Sequence, residues 1–175
     1  MLGFAQNGNV EDACKFFQRM PECTLVAWNA MLAGYAQNQC FDEGLELFGQ
    51  MLSSDLKPDS DTSATVLSAC SNLADLEHGK QVHEDVIRYG VHSDIFVGSA
   101  LVDIYAKCCN LMDANKAFDK MPKRNNVSWN AIIVGKVVHG FGKESLDLFE
   151  KMSCRVRSNM ELGKRVAEFL FSVRH

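Results

Sequence analysis

Proline is scarce, with 3 residues in 175, while Leu, Ala and Met are plentiful. That composition suits an all-α chain with few obligate backbone breaks. No apolar run has the length of a membrane span, so no membrane partner is expected. The 7 cysteines stand at 14, 23, 40, 70, 108, 109 and 154, and they include no C-x-x-C pair. That spacing excludes the usual zinc frameworks, and an odd count in a core-forming helical chain argues against a disulfide framework. Cys14, Cys70 and Cys108 instead fall in the helical pattern as small apolar residues.

Catalytic constellations are missing as well. The chain has no glycine-rich phosphate loop and no Ser-His-Asp spacing. His83-Glu84-Asp85 is not the H-x-E of a zinc deaminase, and no P-C-x-x-C follows it. His78 and His83 stand five apart, whereas a metal pair on one helical face needs three or four. The reading is a non-enzyme with no cofactor, no metal and no small-molecule substrate. Basic charge is in short supply too: the net charge is −4. Residues 1–59 carry 3 basic and 8 acidic groups, 60–125 carry 7 and 9, and 126–175 carry 8 and 5. Nucleic-acid binders usually show a basic footprint, so composition alone gives RNA binding no support. The opening MLGFAQNGNVEDA has early acids and lacks the Arg and Ser of an organelle transit sequence.

What the chain does have is a repeat. Residues 25–59 read LVAWNAMLAGYAQNQCFDEGLELFGQMLSSDLKPD. An apolar face at Val26, Met31, Leu32 and Tyr35 is followed by a break at 38–40. A second face follows at Leu45, Leu47, Phe48, Met51 and Leu52. Spacings of three and four predict a helical hairpin. Adding 101 to each number finds the hairpin again: Trp28 returns as Trp129, Asn29 as Asn130, Gly34 as Gly135 and Glu43 as Glu144. Leu45, Leu47, Phe48 and Met51 return as Leu146, Leu148, Phe149 and Met152. Upstream, Phe17, Met20 and Pro21 return as Phe118, Met121 and Pro122. An internal repeat at one register outranks every other signal in the chain.

The repeat divides into units of 35 residues (25–59), 35 residues (60–94) and 31 residues (95–125). W-N-A-M-L-A-G-Y (28–35), G-L-E-L-F-G-Q-M (44–51) and K-P-D (57–59) carry the first unit. V-L-S-A-C (66–70) with G-K-Q-V-H (79–83) carry the second, and A-L-V-D-I-Y-A-K-C (100–108) with A-F-D-K-M-P (117–122) the third. On these residues the chain resembles the plant pentatricopeptide repeat family, in the subclass that alternates standard, long and short motifs. The resemblance places a partial short motif at 1–24, a standard motif at 25–59 and a long motif at 60–94. A short motif follows at 95–125 and a truncated standard motif at 126–152. Residues 153–175 resemble a partial extension-type or long-motif-like segment, because Cys154, Glu161, Gly163, Lys164 and Val166 align with Cys70, Glu77, Gly79, Lys80 and Val82 at an offset of 84. That jump, with Met1 falling inside a motif, reads as a fragment of a longer array or a product starting within one. A final helix is expected near 160–172.

The resemblance implies a right-handed α-solenoid of stacked helix-turn-helix repeats that binds single-stranded organellar RNA at one base per repeat. RNA processing or C-to-U editing is the implied setting, in a mitochondrion or chloroplast, with RNA-editing or deaminase proteins as candidate partners. It assigns readout to the fifth and last residue of each motif. Asn29 with Asp59 favours U, and Ser99 with Asn125 favours A. Ala64 with Asp94 reads little, and Asn130 lacks a proper partner because Met160 stands in the last position. The expected preference is U-N-A. A local alternative makes Asn29 and Asn130 helix caps. Trp28 and Trp129 are read as packed aromatics rather than base platforms, and Lys120, Lys123 and Arg124 as helix C-terminal cations. A protein-interaction scaffold and a nonfunctional truncated product are the alternative roles.

Within the units, Phe16, Phe17 and Met20 are expected to face the core, with Asn9 capping their helix. Val66, Leu67, Ala69 and Cys70, and then Leu76, Val82, Val86 and Ile87, form the faces of the long unit. Val102, Ile104 and Tyr105, then Ala114, Ala117, Phe118 and Met121, form those of the short unit.

Overall fold

The structure, a computed structural model, describes residues 10–54 and 56–155. These fold into nine α-helices with no strand among the described residues. They are α1 (Val10–Gln18), α2 (Leu25–Gln37), α3 (Phe41–Ser53), α4 (Ser60–Leu73) and α5 (Leu76–Arg88). After them come α6 (Ile95–Lys107), α7 (Leu111–Lys120), α8 (Asn126–Val138) and α9 (142–155). The Asn9 cap, the final helix near 160–172 and Met160 lie outside the described residues.

Local chemistry sets where helices begin. Thr24, Asp59, Asp75, Asp94, Asn110 and Asn125 each accept a bond from a backbone N–H in the first turn of α2, α4, α5, α6, α7 and α8. Each such cap contributes about 0.5–2 kcal/mol. The turns inside hairpins need one left-handed residue: Gln39 (φ 60°), Ala74 (φ 53°), Cys109 (φ 61°) and Gly140 (φ 84°). Only the last is the glycine such a turn favours.

The hairpins stack. Inner helices α2, α4, α6 and α8 pack in succession, and outer helices α1, α3, α5 and α7 each pack on inner helices of neighbouring units. The core is a continuous seam holding Met31, Leu32, Met51, Val66, Leu67, Cys70, Val86, Val97, Val102, Ile104 and Ile132. Both tryptophans belong to it. Phe17 meets Trp28 edge-on at 4.7 Å, and Phe118 meets Trp129 at 4.8 Å. The 101-residue register is thus a register of contacts. Arg124 donates to the Phe118 and Asp119 carbonyls at the end of α7, as a helix C-terminal cation should.

Several expected core residues face outward. Val26 is 72% exposed, because the core side of α2 is Ala27, Trp28, Met31 and Leu32. At 100° per residue, Val26 falls with Asn29 and Ala33 on the other side. Phe16 and Ile87 are exposed beside the inward Phe17 and Val86 for the same reason, and Met20 is exposed past the end of α1. Leu146 and Phe149 are also exposed, although their counterparts on α3 are half-buried (Leu45) and buried (Phe48).

Candidate functional site

The inner helices carry one polar position in phase. Asn29 lies in α2, five residues after its Thr24 cap, so it is no cap itself; Asn130 stands likewise in α8 behind the Asn125 cap. The last residue of each expected motif is the cap of the following inner helix: Asp59 for α4, Asp94 for α6 and Asn125 for α8. Capping therefore places the last residue of one unit at the mouth of the next helix, beside the preceding inner helix.

The first pair closes tightly. Asn29 Nδ2 donates to Asp59 Oδ1 at 3.0 Å and Oδ2 at 3.1 Å. Thr62 N donates to Asp59 Oδ1 at 2.9 Å. Burial pushes the Asp59 carboxyl up, but hydrogen bonds from Thr62, its backbone amide first, and from the Asn29 amide outweigh it and hold it below its ordinary value. Asp59 is therefore an anion at neutral pH. The second pair is neutral: Ser99 Oγ lies 3.0 Å from Asn125 Oδ1 and 2.6 Å from the Ile95 carbonyl. The third expected pair does not form as a polar unit. Ala64 has nothing to donate, and Asp94 Oδ1 is engaged with Phe96 N at 2.8 Å and Val97 N at 3.1 Å.

The second pair opens onto a groove of about 630 Å³ across α4, α6 and α8, lined by Ala64, Ser99, Asn125 and Asn130. Its charged residues are Asp103 and Lys107, which pair at 2.9 Å, while Ser71 donates to Asp103 at 2.5 Å from the neighbouring helix. His139 also lines it, its Nε2 2.9 Å from the Ala106 carbonyl.

Sequence reasoning missed the apolar companions of the polar pairs. Val26, Phe96 and Val127 each stand two residues after a cap and are 72%, 65% and 60% exposed. They flank the polar positions on the same helices, and Val134 and Val138 continue the strip along α8. The signal was available: Val26 and Val127 recur at the 101-residue offset beside Asn29 and Asn130, although Val26 was counted in the core face.

The histidines are engaged elsewhere. His78 Nδ1 lies 2.5 Å from Asp75 at the start of α5, and His83 Nδ1 lies 2.7 Å from the Tyr105 hydroxyl. Among the described residues no group of three or more His, Cys, Asp and Glu is placed to hold a metal ion. No helix among them is long and apolar enough to cross a membrane.

Residues 23–72 match the PPR repeat family, and 1–25, 99–126 and 127–155 match the PPR repeat. The chain belongs to the pentatricopeptide repeat family. A pentatricopeptide repeat-containing protein of Arabidopsis thaliana is 44% identical over 149 residues, which is 85% of this chain and 21% of that protein. Another from the same plant, named mitochondrial, is 41% identical over 149 residues, covering 85% of this chain and 24% of its own length. A third, named chloroplastic, is 43% identical over 143 residues, covering 82% and 18%. The chain thus spans about a fifth to a quarter of the length of the relatives it matches. The pentatricopeptide repeat protein PPR10, solved in complex with an 18-nt psaJ RNA element, superposes with a TM-score of 0.73 at 22% identity, over 86% of this chain and 23% of that one. The all-α solenoid of stacked helix-turn-helix repeats is therefore the family fold.

Proposed function

We propose that this chain is a sequence-selective single-stranded RNA-binding module of the subclass with alternating standard, long and short motifs. It reads one base per repeat along the groove of the inner helices. The observation that carries this reading is the pairing of Asn29 with Asp59, and of Ser99 with Asn125, at one equivalent place in two units. Each pair sets hydrogen-bonding groups on helices that also carry exposed apolar side chains, and the Ser99–Asn125 pair lines the groove. That arrangement suits a base held by its edge and stacked on its faces. Asn29 keeps one amide proton and one carbonyl lone pair beyond its internal bonds. A donor beside an acceptor complements the N3–H and carbonyl of uracil. Lys107 is the groove cation placed to meet a phosphate.

The net charge of −4 limits the electrostatic contribution. Two readable positions at about 1–3 kcal/mol each give weak binding, roughly micromolar to millimolar. The setting we propose is organellar RNA processing, with C-to-U editing as the reaction whose site the longer array specifies. RNA-editing or deaminase proteins supply the chemistry there.

Selection from a random short RNA pool at low salt tests this. The expected result is enrichment of U two nucleotides before A, lost in Asn29→Ala. A helical, monodisperse protein that enriches nothing would instead leave a protein-interaction scaffold or an inactive product as the role.

A further inference from the structure

Thr62 is wholly buried, 33 residues from Asn29 in sequence and on a different helix. Its hydroxyl oxygen lies 2.6 Å from Asn29 Oδ1 and 2.8 Å from Asp59 Oδ1. We propose that Thr62 is a third specificity-determining residue of this unit, a positioning residue that locks the Asn29 amide in the orientation that selects the base. The inference rests on the RNA-binding reading above.

The chemistry follows from counting protons. The Asp59 carboxylate only accepts, so the Asn29 NH2 must turn toward it, at 3.0 and 3.1 Å. That turns Asn29 Oδ1 toward Thr62, which holds the one donor hydroxyl facing it. Asp59 Oδ1 is already supplied by Thr62 N at 2.9 Å and by Asn29, so the hydroxyl proton belongs on the shorter contact, to Asn29. Both ends of the amide are then fixed. The outward pattern, one N–H and one carbonyl lone pair, is set before a base arrives.

A helix-capping role alone does not account for this geometry. In the capping box, Thr62 Oγ accepts from Asp59 N at 3.4 Å, the longest of its contacts. The equivalent residue in the later unit behaves differently. Ser128 also closes a capping box, but its hydroxyl donates to the Asn125 backbone carbonyl at 2.9 Å, and Ser99 is bonded to the Asn125 side chain and to Ile95 instead. The unit that pairs Asn with Asp thus uses a buried Thr as a third member, and the unit that pairs Ser with Asn does not.

The test measures equilibrium binding to four RNAs that differ only at the base facing Asn29, with A kept two nucleotides downstream. A second set varies the base facing Ser99. Thr62→Val keeps the shape and removes the hydroxyl. It is expected to cut the preference for U at the first position by roughly three- to tenfold, leaving the preference at the second unchanged. Thr62→Ser is expected to restore it. Unchanged discrimination at the first position, or equal loss at both, would overturn the proposal. Absence of any preference at the first position in the wild-type protein would overturn the RNA-binding reading itself, a separable result. Should Thr62→Val not fold, proton NMR of the wild type decides: a slowly exchanging Thr62 hydroxyl with a cross-peak to the Asn29 amide supports the lock, and a hydroxyl exchanging at the bulk rate refutes it.

Discussion

Phe118 stands edge-on to Trp129, with ring centroids 4.8 Å apart and planes at 76°. The same contact exists between Phe17 and Trp28 at 4.7 Å and 79°. Each joins the outer helix of one unit to the inner helix of the next, so it is an inter-repeat rivet rather than a hairpin contact. Trp129→Ala is expected to cost about 3–5 kcal/mol, and Trp129→Phe distinctly less. Urea unfolding followed by circular dichroism checks both. Val127, two residues away on the groove side, provides the contrast: Val127→Asp should leave stability within about 0.5 kcal/mol while weakening RNA binding.

Close approach of inner helices sets a second expectation. A Cβ on Gly135 would sit 2.6 Å from the Ala106 Cβ, whereas one on Gly49, inside α3, meets nothing within 4 Å. Gly135→Ala must push α8 away from α6 and should cost roughly 1–3 kcal/mol. Gly49→Ala removes only the entropic penalty of glycine in a helix and should add about 0.5–1 kcal/mol. Thermal unfolding of the two variants should shift in opposite directions.

The fold was legible because the repeat carries its own contacts. Trp28 and Trp129, alike in sequence, are alike in packing, and the fifth and last residues of the first unit do meet. The side of a helix was harder to read. Val26 was counted in one apolar face with Met31, yet the two stand five residues apart, which at about 100° per residue places them on different sides, and Val26 is exposed on the side of Asn29. The last residues hid a second role. Asp59 was marked for base readout, but the same carboxylate starts α4, and that cap is what brings it to Asn29. The contact of Thr62 with Asn29 went unnoticed because the two stand 33 residues apart and the local pattern at Thr62 shows only a helix start.

Lys107 yields an electrostatic expectation. Its ammonium reaches Asp103 at 2.9 Å, about half exposed at the groove edge, where a phosphate competes with that carboxylate. Lys107→Met should weaken RNA binding about equally for every sequence. It should also reduce the slope of log affinity against log salt by roughly 0.7, one phosphate on a single strand. Asn29→Ala should do the reverse, changing base preference and leaving the salt slope alone.

His83 gives the pH dependence of stability. Burial first, and then the charge of Lys120 on α7, hold its imidazole below the ordinary value of 6.5, against the opposing pull of Asp113 and Glu84. The Tyr105 hydroxyl on α6, itself pushed up to about 12 by burial, stays protonated and bonded to Nδ1. In the unfolded chain His83 takes a proton near its ordinary pKa; in the folded chain it takes one only at lower pH. Between those two values the unfolded state binds more protons, so stability rises with pH across that window and is lost as pH falls through it. The carboxylates titrate lower, since Asp59, Asp75 and Asp113 all lie below their ordinary value of 3.8, and their contribution is lost only in stronger acid. The urea midpoint of the wild type should therefore already decline as pH is lowered from about 7.5 to 5.5. His83→Gln, which keeps a side chain able to bond the Tyr105 hydroxyl, should flatten that limb and leave the acid limb in place. An unchanged slope in His83→Gln would assign the decline to a different group.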